Sequence, residues 1–252
     1  MGTNAGVHAT AGIRSHRSAG FAIHAASTAH HRWAASQLVH QRYLQRGYRR
    51  SQHAPEASTA APTEPHLLVF SATGAEGPLG TLGVRFDSAL GLNADAVFPA
   101  EMRALRADGH RLCEFTQLAL DADVASKRVL AALFHTAYLH AYKLRGIRTL
   151  VVEVNPRHVA YYRRMLGFQV YSETRMNPRV QAPAVLLCLD LAHVERQIAL
   201  HGGRPERASE QRTLYPYAFS ASEEAELLAA LSQGSEQQQH PYDQQALMAA
   251  AA

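Results

Sequence analysis

Apolar positions along the chain fall into short alternating runs and longer stripes at helical spacing, in an order that predicts a sheet covered by helices. Phe21 to Ala25 is a short apolar run and reads as a first strand. Ser27 or Thr28 can cap a helix to about Arg46, with Trp33, Leu38 and Tyr43 toward a core and Gly47 as its stop. HLLVFSAT and GPLGTLGVRFDS, separated by Gly-Ala-Glu-Gly, predict an antiparallel hairpin. Phe98 to Ala107 has helical spacing, and Arg111 to Asp121 alternates as a strand. Ser126 can cap the strongest helix, with Leu130, Leu133, Phe134, Ala137, Ala141 and Leu144 on one stripe and Gly146 at its end. IRTLVVEV is a buried strand and NPRHVAYYRRMLGF the helix after it; Phe168 to Glu173 and Ala184 to Leu191 are the last strands. The predicted class is α/β (α+β): a mixed, mostly antiparallel central sheet with helices on both faces.

The ends read differently from the middle. Residues 1–19 predict a disordered lead, residues 20–203 one domain with a mobile Pro-, Ala- and Ser-rich loop at 51–65, and residues 204–252 a polar tail. Ser220 and Glu223 form a capping box for a short helix over about 221–231, and the Gln- and Ala-rich end from Gln233 reads as disordered.

Composition narrows the partners. The 252 residues are 47% hydrophobic, enough for a core, and the formal net charge is +4. That small excess favours an acidic partner and does not predict nucleic acid, which draws a concentrated basic patch. Cys113 and Cys188 make neither a disulfide framework nor a CxxC zinc site, so a reducing cytoplasm is the expected setting. No run approaches the roughly 20 apolar residues of a membrane span, and the first residues lack a secretory apolar stretch. Fifteen histidines are scattered without HExxH or HxH spacing, so no metal is expected.

Three places carry candidate chemistry. Period two sets Leu112, Glu114, Thr116, Leu118 and Leu120 on one strand face and Cys113, Phe115, Gln117 and Ala119 on the other. Glu114 is thus a carboxylate among apolar neighbours, and burial raises such a group toward the range of a general base. An ion pair with Arg42 is the structural alternative. Glu153, on the face opposite Leu150, Val152 and Val154, is a rival carboxylate. At the start of the long helix, Ser126, Lys127 and Arg128 suit a phosphate, because free N–H groups and positive charge meet there. At the next strand's end, Asn155 stands where an extended ligand arm can pair with free backbone groups, and Tyr161 or Tyr162 can act as a general acid toward a leaving group. Adjacent helix positions lie about 100° apart, so only one tyrosine faces a site. Leu118, Leu120, Phe134, Tyr138 and Val152 can line an acyl tunnel or serve as core.

From Tyr43 to about Leu191 the chain resembles the GNAT-fold N-acyl amino acid synthases, relatives of the acyl-homoserine-lactone synthases. The resemblance rests on QLVHQRYLQRGY, FDSALGLNAD, FPAEMRALRADGHRLCEFTQLALD and IRTLVVEVNPRHVAYYRRMLGF. It implies transfer of a fatty acyl group from acyl carrier protein to an amino acid's α-amino group. The acyl-phosphopantetheine thioester is then a co-substrate, possible also as acyl-CoA, with no permanently bound cofactor. It further implies Glu114 in the site, Arg42 and Thr116 in an acceptor pocket, and Leu118, Ala119 and Leu120 along the acyl-phosphopantetheine.

Two departures shape the expectation. Acetyl-CoA enzymes of this fold carry a glycine-lined cradle where this chain reads Val124-Ala-Ser-Lys-Arg-Val129, which suits the single phosphodiester of a carrier protein. Many relatives have Arg where Gln117 stands. Counting from Asn155 favours Tyr162 as proton donor, and counting back from Phe168 lands on Arg163. A CoA-dependent enzyme acting on a small amine or protein, and a non-catalytic module of the same fold, remain the alternatives.

Overall fold

The computed structural model describes residues 16–18, 20–26, 29–45, 66–121 and 127–231. The expected loop at 51–65, the caps at Ser27, Thr28 and Ser126, most of the lead and the end from Gln233 lie outside the described residues.

The alternating runs form β1 (His16–Ser18), β2 (Phe21–Ala25), β3 (Leu67–Gly74), β4 (Gly77–Phe86), β5 (Leu112–Leu120), β6 (Thr149–Val154), β7 (Gln169–Val170), β8 (Arg175–Asn177) and β9 (Ala182–Asp190). They bond in the order β1-β2-β3-β4-β5-β6-β9-β7, with β8 paired to β9. The β5–β6 pair is parallel and the others are antiparallel. The periodic stripes form α1 (Ala29–Gln45), α2 (Pro99–Ala107), α3 (Lys127–Tyr138), α4 (Pro156–Leu166), α5 (Leu191–His201) and the single turn α6 (Ala208–Gln211). The last helix among the described residues, α7, spans residues 221–231. After Tyr138, α3 continues as a π-helical segment, Leu139–Leu144.

Helices cover both faces of the sheet. Phe98, Met102 and Leu105 pack on Leu112, Val151, Ala184 and Leu186. The larger core joins Cys113, Phe115, Leu150 and Leu187 of the other face to Leu133 and Phe134 of α3 and to Ile198 of α5.

Several expectations need correction. Residues 16–18, assigned to the lead, pair with β2. Among the described side chains of α1 the buried ones are Ala35, Leu38 and Val39, whereas Trp33 is 54% exposed, because the helix turns a different phase toward the sheet; the Tyr43 side chain lies outside the described ones. Strand β8 and helix α5 have no counterpart in the sequence reading. Beyond Gly203, Leu214, Tyr215, Phe219, Leu227 and Leu231 are buried in the main core instead of trailing as a polar tail. They cover the outer side of α3, where every side chain from Val129 to Tyr138 is buried. A helix apolar on all sides must be covered on all sides. Tyr215 Oη donates to the Leu166 carbonyl at 2.6 Å, and the buried His135 accepts from Phe219 N–H at 3.0 Å.

One irregularity in β5 positions everything downstream. Thr81 aligns with Ala119 and Gly83 with Thr116, so two β5 residues oppose Leu82 alone. Gln117 takes φ 52°, and its carbonyl accepts from Thr81 Oγ1 at 2.7 Å. Such a bulge advances the side-chain phase by one residue. Strict alternation therefore fails beyond Thr116. Leu118 and Leu120 turn to the cluster holding Cys113 and Phe115, while Ala119 packs on Leu38 and Val39 of α1.

Candidate active site

The parallel strands β5 and β6 are paired only at Leu112–Thr149, Cys113–Leu150 and Glu114–Val151. β5 then runs on to Leu120 and β6 to Val154, without further pairing between them. The gap opens into a cleft of about 150 Å³. Among the predicted site residues, Glu114, Thr116, Leu118, Asn155 and Tyr162 line it. Phe115, Phe134 and Val152 supply apolar wall.

Glu114 stands at the last paired position and is 2% exposed. One of its carboxylate oxygens accepts from the Asn93 N–H at 2.6 Å. Asn93 opens a 3-10 turn, Asn93–Ala96, whose shape is held from α2. Arg106 of that helix donates to Asp87 at 2.7 Å and to Asp95 at 2.6 Å, and Asp95 in turn accepts from Leu92 N–H at 2.7 Å. Burial first, and the nearby Glu153 carboxylate second, push Glu114 up to about 7; Arg179 and the Asn93 and Ala94 N–H groups oppose that rise. A carboxyl poised there can take a proton near neutral pH.

Glu153 lies in the same cleft, with a side chain 7% exposed. It accepts from Asn177 Nδ2 at 2.5 Å and contacts Arg179 Nη2 at 3.5 Å. Burial raises its pKa, and Arg179 and Asn177 work against that rise. The two carboxylates thus sit within electrostatic range of one another.

The β6–α4 junction provides the opposite wall. Asn155 caps α4 by accepting from Arg157 N–H at 3.2 Å, and Pro156 follows at the first helical position, where its missing N–H removes no bond. Tyr162 faces the cleft, edge-on to Phe168 at 5.5 Å. Tyr161 is 41% exposed and does not line the cleft, and Arg163 is exposed. The geometry therefore selects Tyr162 over its two neighbours as the side chain at the cleft.

Other expected residues stand apart. Arg42, expected in the acceptor pocket, pairs with Asp121 at 3.0 Å and donates to Gln45 at 2.6 Å, in place of the ion pair with Glu114 that was the structural alternative. Ala119 is buried under α1, and Leu120 is not in the cleft wall. Lys127 and Arg128 are exposed at the start of α3, with Arg128 beside a separate hollow shared with Tyr217. Tyr138 borders a narrow apolar cavity behind Phe115 and Phe134.

The sequence reading missed Asn177, Arg179 and His158, which line the cleft beside the rival carboxylate Glu153. Its best available signal was Glu153 itself, an isolated charge in an otherwise apolar strand that needed a polar partner.

A mixed sheet splayed between two parallel strands, with a carboxylate and a tyrosine across the gap, defines a GNAT-type N-acyltransferase. A family model described as N-acyl amino acid synthase FeeM matches residues 34–190. The chain belongs to that family, and it is an acyltransferase. Its fold is similar to the structure of FeeM, an N-acyl amino acid synthase from uncultured soil microbes. That match has TM-score 0.61 and 26% identity, over 68% of this chain and 92% of that one. An acyl-CoA N-acyltransferase from Pseudomonas aeruginosa matches at TM-score 0.45 and 13% identity, over 67% of this chain and 97% of that one. A CoA-dependent acyl-homoserine lactone synthase, MesI, matches at TM-score 0.41 and 19% identity, over 67% and 88%. No curated protein matches the chain significantly.

Proposed function

We propose that the protein moves a long-chain fatty acyl group from the phosphopantetheine thioester of acyl carrier protein to the α-amino group of an amino acid. The observation that carries this is Glu114: a buried carboxyl, raised to about 7, at the point where β5 and β6 part. An ammonium cannot attack a thioester, so the acceptor must first give up a proton. Glu114 takes it. The amine nitrogen then attacks the thioester carbon, a tetrahedral intermediate forms, and collapse breaks the C–S bond. Tyr162 donates its phenolic proton to the departing thiolate, and the second proton of the attacking nitrogen restores the phenol, leaving a neutral amide, a thiol and a protonated Glu114 that returns its proton to solvent. The pantetheine arm lies along the unpaired edges of β5 and β6 as an added strand would. Leu118 and the Phe115–Phe134 wall receive the first part of the acyl chain.

The carrier-protein donor is supported by sequence chemistry. A chain without a glycine cradle before α3 suits one phosphodiester better than a pyrophosphate, and Lys127 and Arg128 offer positive charge to an acidic partner. Two unpaired cysteines fit a cytoplasmic setting. Among the described residues no helix is long and apolar enough to cross a membrane.

The test is to incubate the purified protein with acyl carrier protein carrying mixed acyl groups, plus the proteinogenic amino acids, and to read product masses. N-acyl amino acids are expected, formed faster than with matched acyl-CoAs. Turnover of acetyl-CoA without any N-acyl amino acid would overturn the proposal. Charge reversal at Lys127 and Arg128 is expected to raise KM for the loaded carrier about tenfold at low salt, and less at high salt, because exposed charges are screened. Salt-independent kinetics in both wild type and variant would rule out docking there.

A further inference from the structure

Pro178, Arg179, Val180 and Gln181 join β8 to β9, and Arg179 and Val180 line the cleft together with Asn177, the last residue of β8. This connection is tightly specified. Asn177 is 3% exposed, its Oδ1 accepts from the Arg179 N–H at 2.9 Å, and Gln181 takes φ 50°. Arg175, two residues before Asn177, donates to Glu101 of α2 at 2.9 Å and to the Val97 carbonyl at 3.2 Å. The turn is therefore fastened to the helix whose Arg106 shapes the loop that anchors Glu114.

What the turn presents is a cation. Arg179 is the sole Lys or Arg among the described residues lining the cleft. It makes one long contact, 3.5 Å, to Glu153, and its side chain is 48% exposed. A guanidinium carries five N–H donors in a planar fork matched to a carboxylate. The cleft thus sets a cation directly beside a buried anion, with a second anion, Glu114, in electrostatic range. An α-amino acid has the complementary pattern. Its nitrogen and carboxylate carbon are two bonds apart, about 2.5 Å by standard geometry. A simple amine has no group for the guanidinium, and binding one would leave Arg179 with only its long contact to Glu153 and solvent.

Resting on the amino-acid reading above, we infer that Arg179 holds the acceptor's α-carboxylate, with Glu153 and Asn177 positioning the guanidinium and the α-ammonium directed to Glu114. Arg179 is then the residue that separates free amino acids from amines and amino-acid amides. Asn177 is a positioning residue: it sets the turn through its carbonyl oxygen and Glu153 through its amide nitrogen.

The experiment offers the enzyme two acceptor pools with the same loaded carrier: the proteinogenic L-amino acids, and their carboxamides, which keep the side chain and lose the negative charge. The wild type is expected to favour the acids by about a hundredfold in kcat/KM, as sites built around a polar group reject analogues lacking it. In R179Q the preference is expected to fall to about threefold or less, chiefly through a KM for the acids raised at least about thirtyfold. R179K, a point charge without the fork, recovers part of the preference. An R179Q enzyme that keeps the wild-type preference and KM overturns the inference. So does a variant pair that loses acids and amides in equal proportion, since that is the mark of a merely structural arginine. A wild type that acylates both pools alike sinks the role of Arg179 and leaves the acyltransfer standing. One that acylates neither pool sinks the amino-acid reading, and this inference with it.

Discussion

Glu114→Gln is expected to lower kcat/KM by about 10²–10³-fold, the usual contribution of a positioned base, while the protein folds normally. Gln keeps the size of the side chain and an oxygen that can still accept from Asn93 N–H. The pH dependence separates the base from a structural acid. Because the carboxyl is raised to about 7 in the folded protein, wild-type activity should rise through neutral pH, and the variant should lose that limb. Stability moves the opposite way. A carboxyl with a raised folded pKa binds its proton more tightly when folded, so wild-type stability falls as pH climbs from the unfolded value to about 7, then levels off. The size of that loss is on the order of 3 kcal/mol at most for a shift of this extent. Glu114→Gln removes it, so the variant should gain melting temperature on wild type between pH 5 and pH 8. Parallel losses of turnover and melting temperature would show that the carboxyl serves the fold alone.

A chain ending at Gly203 is expected not to fold cooperatively. It lacks Leu214, Tyr215, Phe219, Leu227 and Leu231, all buried in the main core. Each such side chain contributes about 1.5–3 kcal/mol on burial, and a domain's whole net stability is only about 5–15 kcal/mol. Truncation also strips the partner of the Leu166 carbonyl and leaves the buried His135 ring without Phe219 N–H and the Glu224 carboxylate. Thermal melting followed by circular dichroism gives the answer. A truncated protein with a sharp transition at the full-length temperature would show that the segment is an appendage.

That second result marks where sequence stopped being informative. The stretch after Gly203 mixes polar with small and apolar residues, and outside the short helix at about 221–231 its apolar residues have no sustained period. The readable sign lay elsewhere, in α3, whose apolar positions run all the way round. Glu114, Asn155 and the Tyr161–Tyr162 pair could be placed near the cleft because strict alternation and a strand-to-helix junction are local patterns; Thr116 came by resemblance, and which tyrosine faces the cleft needed the fold. Leu118 reached the cleft wall, yet Leu118, Ala119 and Leu120 were placed on the wrong faces: a bulge at Gln117 is a conformation, and glutamine does not announce it. Arg42 was assigned to the acceptor pocket by resemblance, but its place on α1 brings it to Asp121, near the far end of β5. Arg179 escaped notice because it sits in a turn after a three-residue strand, too short to carry a pattern.

The out-of-step residue at Gln117 has a kinetic corollary. Ahead of it, Glu114 looks toward the α2 layer; past it, Leu118 looks toward α3. With the acceptor amine at Glu114 and the acyl chain at Leu118, as proposed above, nucleophile and electrophile would approach one seam from opposite sides of the same ribbon, and neither would have to vacate its berth before the other arrives. Initial-rate plots against both reactants should therefore give intersecting lines, the signature of simultaneous occupancy, and not the parallel lines of an enzyme that parks the acyl group on itself between visits.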